Sequence, residues 1–211
     1  MIRCSQLGQI MTNPQKKSET LSETAKAVIE DLVKESIFDV QLGQQTNKYC
    51  EKGNQTEDAC IDLLSELHGI KYEKHFGRVT SQELWLTGEC DILLPSEGRD
   101  IKSAWSIETF PMTADKILKD KSAYEWQMRG YMLLYDREQW WIDYCLVDTP
   151  DDLCKFEPVE LHFVSHLPAR LRVTSAMIKR DLEIERQIVD RLQICREYFD
   201  ELKQKVLDEH R

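Results

Sequence analysis

The sequence lacks the features of a membrane span, a secreted domain or a basic nucleic-acid-binding module. Its longest apolar runs, such as Leu84 to Leu86 and Ile92 to Leu94, fall far short of the ~20 apolar residues that cross a bilayer. The first residues, Met1-Ile2-Arg3-Cys4-Ser5-Gln6, lack the basic region and long apolar stretch of a secretory leader, so a cytoplasmic chain with no membrane partner is expected. The seven cysteines, Cys4, Cys50, Cys60, Cys90, Cys145, Cys154 and Cys195, are odd in number and contain no CxxC pair. Reduced thiols are therefore expected, rather than a disulfide framework or a zinc site. Positive charge is scarce, with 28 Lys and Arg against 38 Asp and Glu and a formal net charge of −10. That balance weighs against phosphate binding driven by counterion release. It does not exclude a local positive groove, and acidic residues that hold a divalent cation become part of an attractive site.

What is present fits one folded domain over residues 1–211, with 41% hydrophobic and 31% charged residues. Thr20-Leu21-Ser22-Glu23 has capping-box spacing, and Leu21, Ala25, Val28, Ile29 and Leu32 then fall on one side of a helix. A second helix is expected over Asn54 to Leu67, stopped at His68-Gly69. Four segments rich in β-branched and aromatic residues predict strands: Lys71 to Phe76, Leu84 to Leu94, Arg99 to Trp105 and Trp140 to Val147. Between the last two, Thr113 to Tyr135 has helical periodicity. After Pro168 the pattern predicts one or two long charged helices, with Ile184, Ile188, Leu192, Cys195 and Phe199 as the apolar stripe. Residues 169–211 are thus expected to form a C-terminal helical extension.

Chemistry concentrates in Gly88-Glu89-Cys90-Asp91 and, past a turn, Arg99-Asp100-Ile101-Lys102-Ser103. Positions two apart on a strand face the same way, so Asp100 and Lys102 share a side and Ile101 points to the core. With Asp91 facing them from a neighbouring strand, two carboxylates and an ammonium meet at one sheet edge. That set suits metal-assisted phosphodiester hydrolysis: the carboxylates, and the Ile101 carbonyl, hold one or two Mg²⁺, and the lysine orients the nucleophile or stabilises the transition state. The alternative is a solvated hairpin carrying ordinary surface charges. Glu57 lies one turn before Ile61 on the core side of its helix, where an unpaired carboxylate is costly and needs a cation, unless it serves only the helix dipole. Gln127 shares a helical stripe with Tyr124, Tyr131 and Leu134 and must find partners, either in a site or as a satisfied core amide.

Glu57, Gly88-Glu89-Cys90-Asp91, Asp100-Ile101-Lys102 and Tyr124-Glu125-Trp126-Gln127-Met128-Arg129-Gly130-Tyr131-Met132 occur in an order that resembles the phage-type alkaline exonucleases. These are the lambda-exonuclease-like, or YqaJ-type, viral recombinases of the PD-(D/E)XK nuclease superfamily. The resemblance runs from about Arg3 to Asp151, and its most specific part is the Gln-x-x-Gly-Tyr-Met helix. It implies an α/β fold, a central mixed β-sheet flanked by helices in a restriction-endonuclease-like core. It implies Glu57, Asp91 and Asp100 as metal ligands, Lys102 as the catalytic lysine and Gln127 as a supporting group, with Mg²⁺ as cofactor and Mn²⁺ able to substitute. It further implies degradation of one strand of double-stranded DNA from a 5′ end, a single-strand annealing protein as partner, and assembly as a trimeric ring. Ser5, in Arg3-Cys4-Ser5-Gln6-Leu7, matches a family serine that touches the terminal phosphate. The sequence departs from the pattern in having Glu89-Cys90-Asp91 rather than Pro-Asp, and Asp100 where relatives often have Glu. An iron–sulfur cluster, found in some related nucleases, is not expected, because Cys145, Cys154 and Cys195 are too widely spaced.

Arg129, Lys116, Lys119 and Lys121 are the candidate DNA-phosphate contacts, the alternative for the lysines being a solvated helix face. His162 and His166 are read as packed or surface residues, and Trp105, Trp126, Trp140 and Trp141 as core. Two other functions stay open at this stage: an endonuclease of restriction or repair type, and a non-catalytic DNA-binding module on the same fold.

Overall fold

Ser22 and Asn47 start the two helices that frame the first half of the molecule. In this computed structural model, which describes residues 1–43, 47–119 and 124–210, the chain opens with strand β1 (Ile2–Arg3) and a short helix α1 (Leu7–Ile10). Helix α2 (Glu23–Phe38) begins where Ser22 accepts the Ala25 N–H at 3.0 Å, and it ends at Asp39 in the left-handed region. Helix α3 (Lys48–His68) starts two turns earlier than its apolar stripe suggests. Asn47 caps it by accepting the N–H groups of Tyr49 and Cys50, and Gly69 at φ 62° ends it.

Strands β2 (Val79–Ser81), β3 (Leu86–Gly88), β4 (Ile92–Leu93) and β5 (Glu97–Ser103) follow. Then come helices α4 (Ala114–Lys119) and α5 (Tyr124–Tyr135), strands β6 (Gln139–Cys145) and β7 (Val173–Lys179), and helix α6 (Leu182–Glu209). The strands form two mixed sheets. One has the order β1-β3-β2; the other has the order β4-β5-β6-β7, with β5 and β6 parallel and both outer pairs antiparallel. The α/β class with flanking helices agrees with expectation, and the single central sheet becomes two. The expected strand from Leu84 to Leu94 is broken at Glu89–Asp91, and its two halves belong to different sheets.

Two further readings need correction. Residues 71–78 have no strand partner; this strap is held by side chains and by the N–H of His75, which donates to the Asp91 carbonyl at 2.7 Å. Residues 173–179 are not helical but pair along their whole length with β6, so only Leu182–Glu209 of the C-terminal region is helical extension. The expected helix over 113–135 is described as α4 and α5; Lys121 lies outside the described residues. All seven cysteines are free, and among the described residues no helix is long and apolar enough to cross a membrane.

Strand β5 divides the interior. The larger core joins α2, α5 and α6 to Trp140 and Ile142, whereas Ile101 and Cys145 pack with Cys60, Ile61 and Leu64 of α3 in a second core. On that second side Arg99 is buried against Asp143 at 2.9 Å and lies 4.9 Å from the Trp141 ring. Lys52 of α3, 1% exposed, donates to the carbonyls of Ala104, Trp105 and Val147 at 2.6 to 3.0 Å. It ties the chain segments leaving β5 and β6, and burial lowers its pKa to about 8.

Gly98 pairs with Trp140 across the parallel strands, and a Cβ built on it would lie 2.3 Å from the fully buried indole. The Gly98→Ala variant is expected to lose about 1–3 kcal/mol through overpacking. Urea unfolding checks this, and an unchanged midpoint would contradict the tight packing.

Candidate active site

Alternation along β5 places Asp100 and Lys102 on the α5 side of the strand, as expected, but neither is solvated. Asp100 is 2% exposed and the Lys102 side chain 20%. Lys102 Nζ rests against Asp100 Oδ2 and stands 4.7 Å from the centre of the Tyr124 ring. Apart from that ion pair, Asp100 Oδ2 is buried without a hydrogen-bond donor. Asp91 leaves the bend between β3 and β4 and faces β5, where its Oδ2 accepts the Ile101 N–H at 2.6 Å.

One cleft of about 390 Å³ is lined by Glu57, Asp91, Asp100, Ile101, Lys102 and Gln127 together. These residues come from α3, the β3–β4 bend, β5 and α5, so the sequence-predicted catalytic and metal-ligand set converges on one place. Glu57 does not lie free in it: Lys74, from the strap 71–78, donates to its Oε2 at 2.6 Å. Gln127 donates to the Tyr131 hydroxyl at 2.9 Å, and that hydroxyl donates to the Glu89 carbonyl at 2.7 Å. Tyr131, read from sequence only as part of a stripe, therefore links the Gln127 amide to the bend that carries Asp91. Gly130 beside it lets the N-terminal turn approach, since a Cβ there would lie 2.4 Å from Leu7 Cδ1.

Burial first, and crowding of carboxylates second, account for the electrostatics. Burial pushes the Asp91 carboxyl up to about 7; Asp100 and Glu57 add to the rise, while Lys102 and the Ile101 N–H oppose it. Asp100 is raised as well, by burial first. Burial alone lowers the Lys102 pKa, but Asp100 and Asp91 overcome that and hold it above the usual lysine range. As arranged, no three Asp, Glu, His or Cys side chains among the described residues stand close enough to hold an ion. The reason is visible in the partners: Glu57 is turned to Lys74 and Asp100 to Lys102. The donor set still suits a hard divalent cation, because it is built from oxygens, carries excess negative charge and includes a buried carboxylate whose Oδ2 has the Lys102 ammonium as its one partner.

The candidate DNA contacts do not line this cleft. Ser5 is exposed in a separate cleft with Arg3, Gln6 and Glu35. Arg129 is paired with Glu125 at 2.7 Å, and Lys116 and Lys119 are exposed on α4. His162 is packed, bridging Thr149 and Glu157 at 2.9 Å each, and Trp140 is core, both as read from sequence.

An Asp pKa raised on folding means that the folded state holds the proton more tightly than the unfolded chain. The associated stability is full below about pH 4 and is lost as pH rises through about 7. Asp91→Asn, which keeps an acceptor for the Ile101 N–H, is expected to stabilise the metal-free protein above pH 7 by about 2 kcal/mol. The gain should shrink to almost nothing at pH 4; a tenfold change in proton affinity is worth about 1.4 kcal/mol, and part of the rise is shared with Asp100. Unfolding in EDTA at the two pH values measures it, and an equal effect at both would contradict the crowding.

No protein-family model and no curated protein matches the chain. Among solved structures, a phage-related exonuclease from Haemophilus somnus 129PT matches at 31% identity and a TM-score of 0.87, over 97% of this chain and 96% of that one. An alkaline exonuclease from Laribacter hongkongensis, LHK-Exo, shares the fold at 14% identity and a TM-score of 0.68, over 99% and 92% of the two chains. LHK-Exo in complex with dAMP matches at 17% identity and a TM-score of 0.63, over 98% and 93%. Near-complete mutual coverage at 31% identity with the Haemophilus somnus exonuclease shows that the chain belongs to the family of phage-related, lambda-exonuclease-like nucleases.

Proposed function

We propose that the protein is a Mg²⁺-dependent deoxyribonuclease that degrades one strand of linear double-stranded DNA, from the 5′ end, for phage-type recombination by single-strand annealing. The observation that carries this reading is the convergence of Glu57, Asp91, Asp100, Lys102 and Gln127 from separate segments onto one cleft. Glu57, Asp91, Asp100 and the Ile101 carbonyl are the groups that would hold one or two Mg²⁺, with Mn²⁺ able to substitute. When bound, such a cation supplies charge neutralisation at the phosphate and an acidified water.

The rest is the work of the chain. Asp100 fixes the Lys102 ammonium and the Tyr124 ring covers it, so that a fully protonated cation faces the cleft, suited to stabilising negative charge that develops on the phosphate. The Ile101 N–H holds one oxygen of Asp91, which orients that carboxylate. The Tyr131 hydroxyl holds the Gln127 amide at the α5 wall of the cleft. The dAMP complex of LHK-Exo supports a nucleotide-binding role for this fold. A single-strand annealing protein as partner and a trimeric ring as the working assembly belong to the same proposal, on the family resemblance.

In Mg²⁺ the protein is expected to digest linear duplex and spare closed circular duplex; nicking of closed circles would replace the exonuclease reading by an endonuclease one. Lys102→Ala and Asp91→Ala are each expected to lower the rate on the order of 10²–10³-fold or more, the scale of removing one transition-state contact. Unchanged rates in both would remove the catalytic assignment. A time course on duplexes labelled at either end reads the polarity, with loss of the 5′ label first as the expected result.

A further inference from the structure

Lys74, beside the cleft and in contact with Glu57 of its lining, is a charged group that the hydrolytic reading leaves without a task. Its Nζ lies 2.6 Å from Glu57 Oε2, and it comes from an irregular strap rather than from a helix or strand. The backbone of that strap is held on both sides of it. The Tyr72 N–H donates to Ser65 Oγ at 3.0 Å, the Tyr72 ring lies 5.3 Å from the Arg99 guanidinium, and the His75 N–H donates to the Asp91 carbonyl. The Lys74 side chain, 34% exposed on a flexible four-carbon stem, is the part with room to turn.

The charges around the cleft give that freedom a meaning. With Glu57, Asp91, Asp100 and the neighbouring Asp58 ionised, Lys102 and Lys74 together leave two negative charges in excess, which one divalent cation would cancel. An ammonium in contact with Glu57 also competes with a divalent cation for the same lone pairs and repels it at close range. Once displaced, the ammonium remains tethered within a side chain's length of the cleft, where a nucleic-acid phosphate offers it a new partner.

We propose that Lys74 is an exchangeable counterion: it neutralises Glu57 while no divalent cation is bound, and it moves to a DNA phosphate when the cation takes Glu57. This rests on the metal-dependent reading above. Metal and DNA binding are then linked through one side chain, and the linkage is reciprocal: a phosphate that draws the ammonium away also frees Glu57 for the cation. The cleft is guarded against loose metal without substrate and becomes most attractive to metal when a DNA end is present.

Lys74→Gln, which keeps length and polarity but removes the charge, tests this without reference to cleavage. By titration calorimetry in the absence of DNA, the variant is expected to bind Mn²⁺ several-fold more tightly than the unsubstituted protein. By fluorescence anisotropy in Ca²⁺, with substrate shown intact on a gel, it is expected to bind a blunt duplex several-fold more weakly. The slope of log affinity against log salt should fall by about one, the signature of one lost phosphate contact. If the unsubstituted protein and the variant both bind Mn²⁺ with the same affinity, or the salt slope does not change, the exchange is refuted. If neither protein binds Mn²⁺ at all, the metal-dependent reading falls instead.

Discussion

Burial and mutual repulsion of the carboxylates of Glu57, Asp91 and Asp100 are together the constraint around which the acidic cleft is arranged. Three carboxylates gathered at the edge of a sheet, one of them almost fully buried, are unfavourable by burial and by like charge at once. The fold counters this with ammonium groups and one backbone amide. Lys102 sits on Asp100, Lys74 on Glu57, and the Ile101 N–H on Asp91. None of these supplies two charges at one point, which is what a divalent cation adds. The apo arrangement is therefore a set of paired groups rather than an assembled metal cage, and the absence of a ready three-donor cluster among the described residues follows from those pairings.

Holding such a cluster requires rigid supports, and the structure places them on the opposite side of β5. Arg99 and Asp143 form a buried ion pair there, with Glu97 at 3.2 Å from Arg99 and Ser175 donating to Asp143 at 2.5 Å. Burial raises the Asp143 carboxyl, while Arg99 and Ser175 pull it back. Breaking one partner of such a pair is costly because the other is left buried and uncompensated. Lys52 does similar work beyond the ends of β5 and β6, where three carbonyls leave the sheet and converge on one ammonium. Together these groups fix β5 in register between β4 and β6, and register decides which face Asp100 and Lys102 occupy.

Much of this was legible in the sequence because it depends on local periodicity. The stripes of α2 and α3, the alternation through Asp100-Ile101-Lys102 and the polar Gln127 within an apolar helical stripe each report a face, and the cleft joins those faces. The misreadings arise where tertiary pairing decides. Lys71 to Phe76, read as a strand from its aromatic residues, has no strand partner, while Val173–Lys179, set before a long charged helix, becomes a strand because β6 offers a free edge. Lys74 and Lys52 were not visible for a related reason. A lysine in a polar stretch reads as solvated, and only long-range contacts, to Glu57 across 17 positions and to carbonyls more than 50 positions away, give them their roles.

The net charge of −10 acquires a physical reading from the same geometry. At physiological ionic strength, charges on the far surface are screened beyond a distance of about 8 Å, so a DNA end bound at the cleft, as proposed, would sense mainly the groups lining it. Arg129 is engaged by Glu125, and Lys116 and Lys119 stand outside the lining, so these residues do not determine the sign within the cleft. Three carboxylates and Lys102 line the cleft, and Lys74 reaches Glu57 from just outside that lining, which leaves a small negative excess that one divalent cation would offset. On the proposed function, an acidic protein is thereby reconciled with a polyanionic substrate: the screened negative surface contributes little at the cleft, and attraction would be confined to the place where a bound cation and the lysines meet a phosphate.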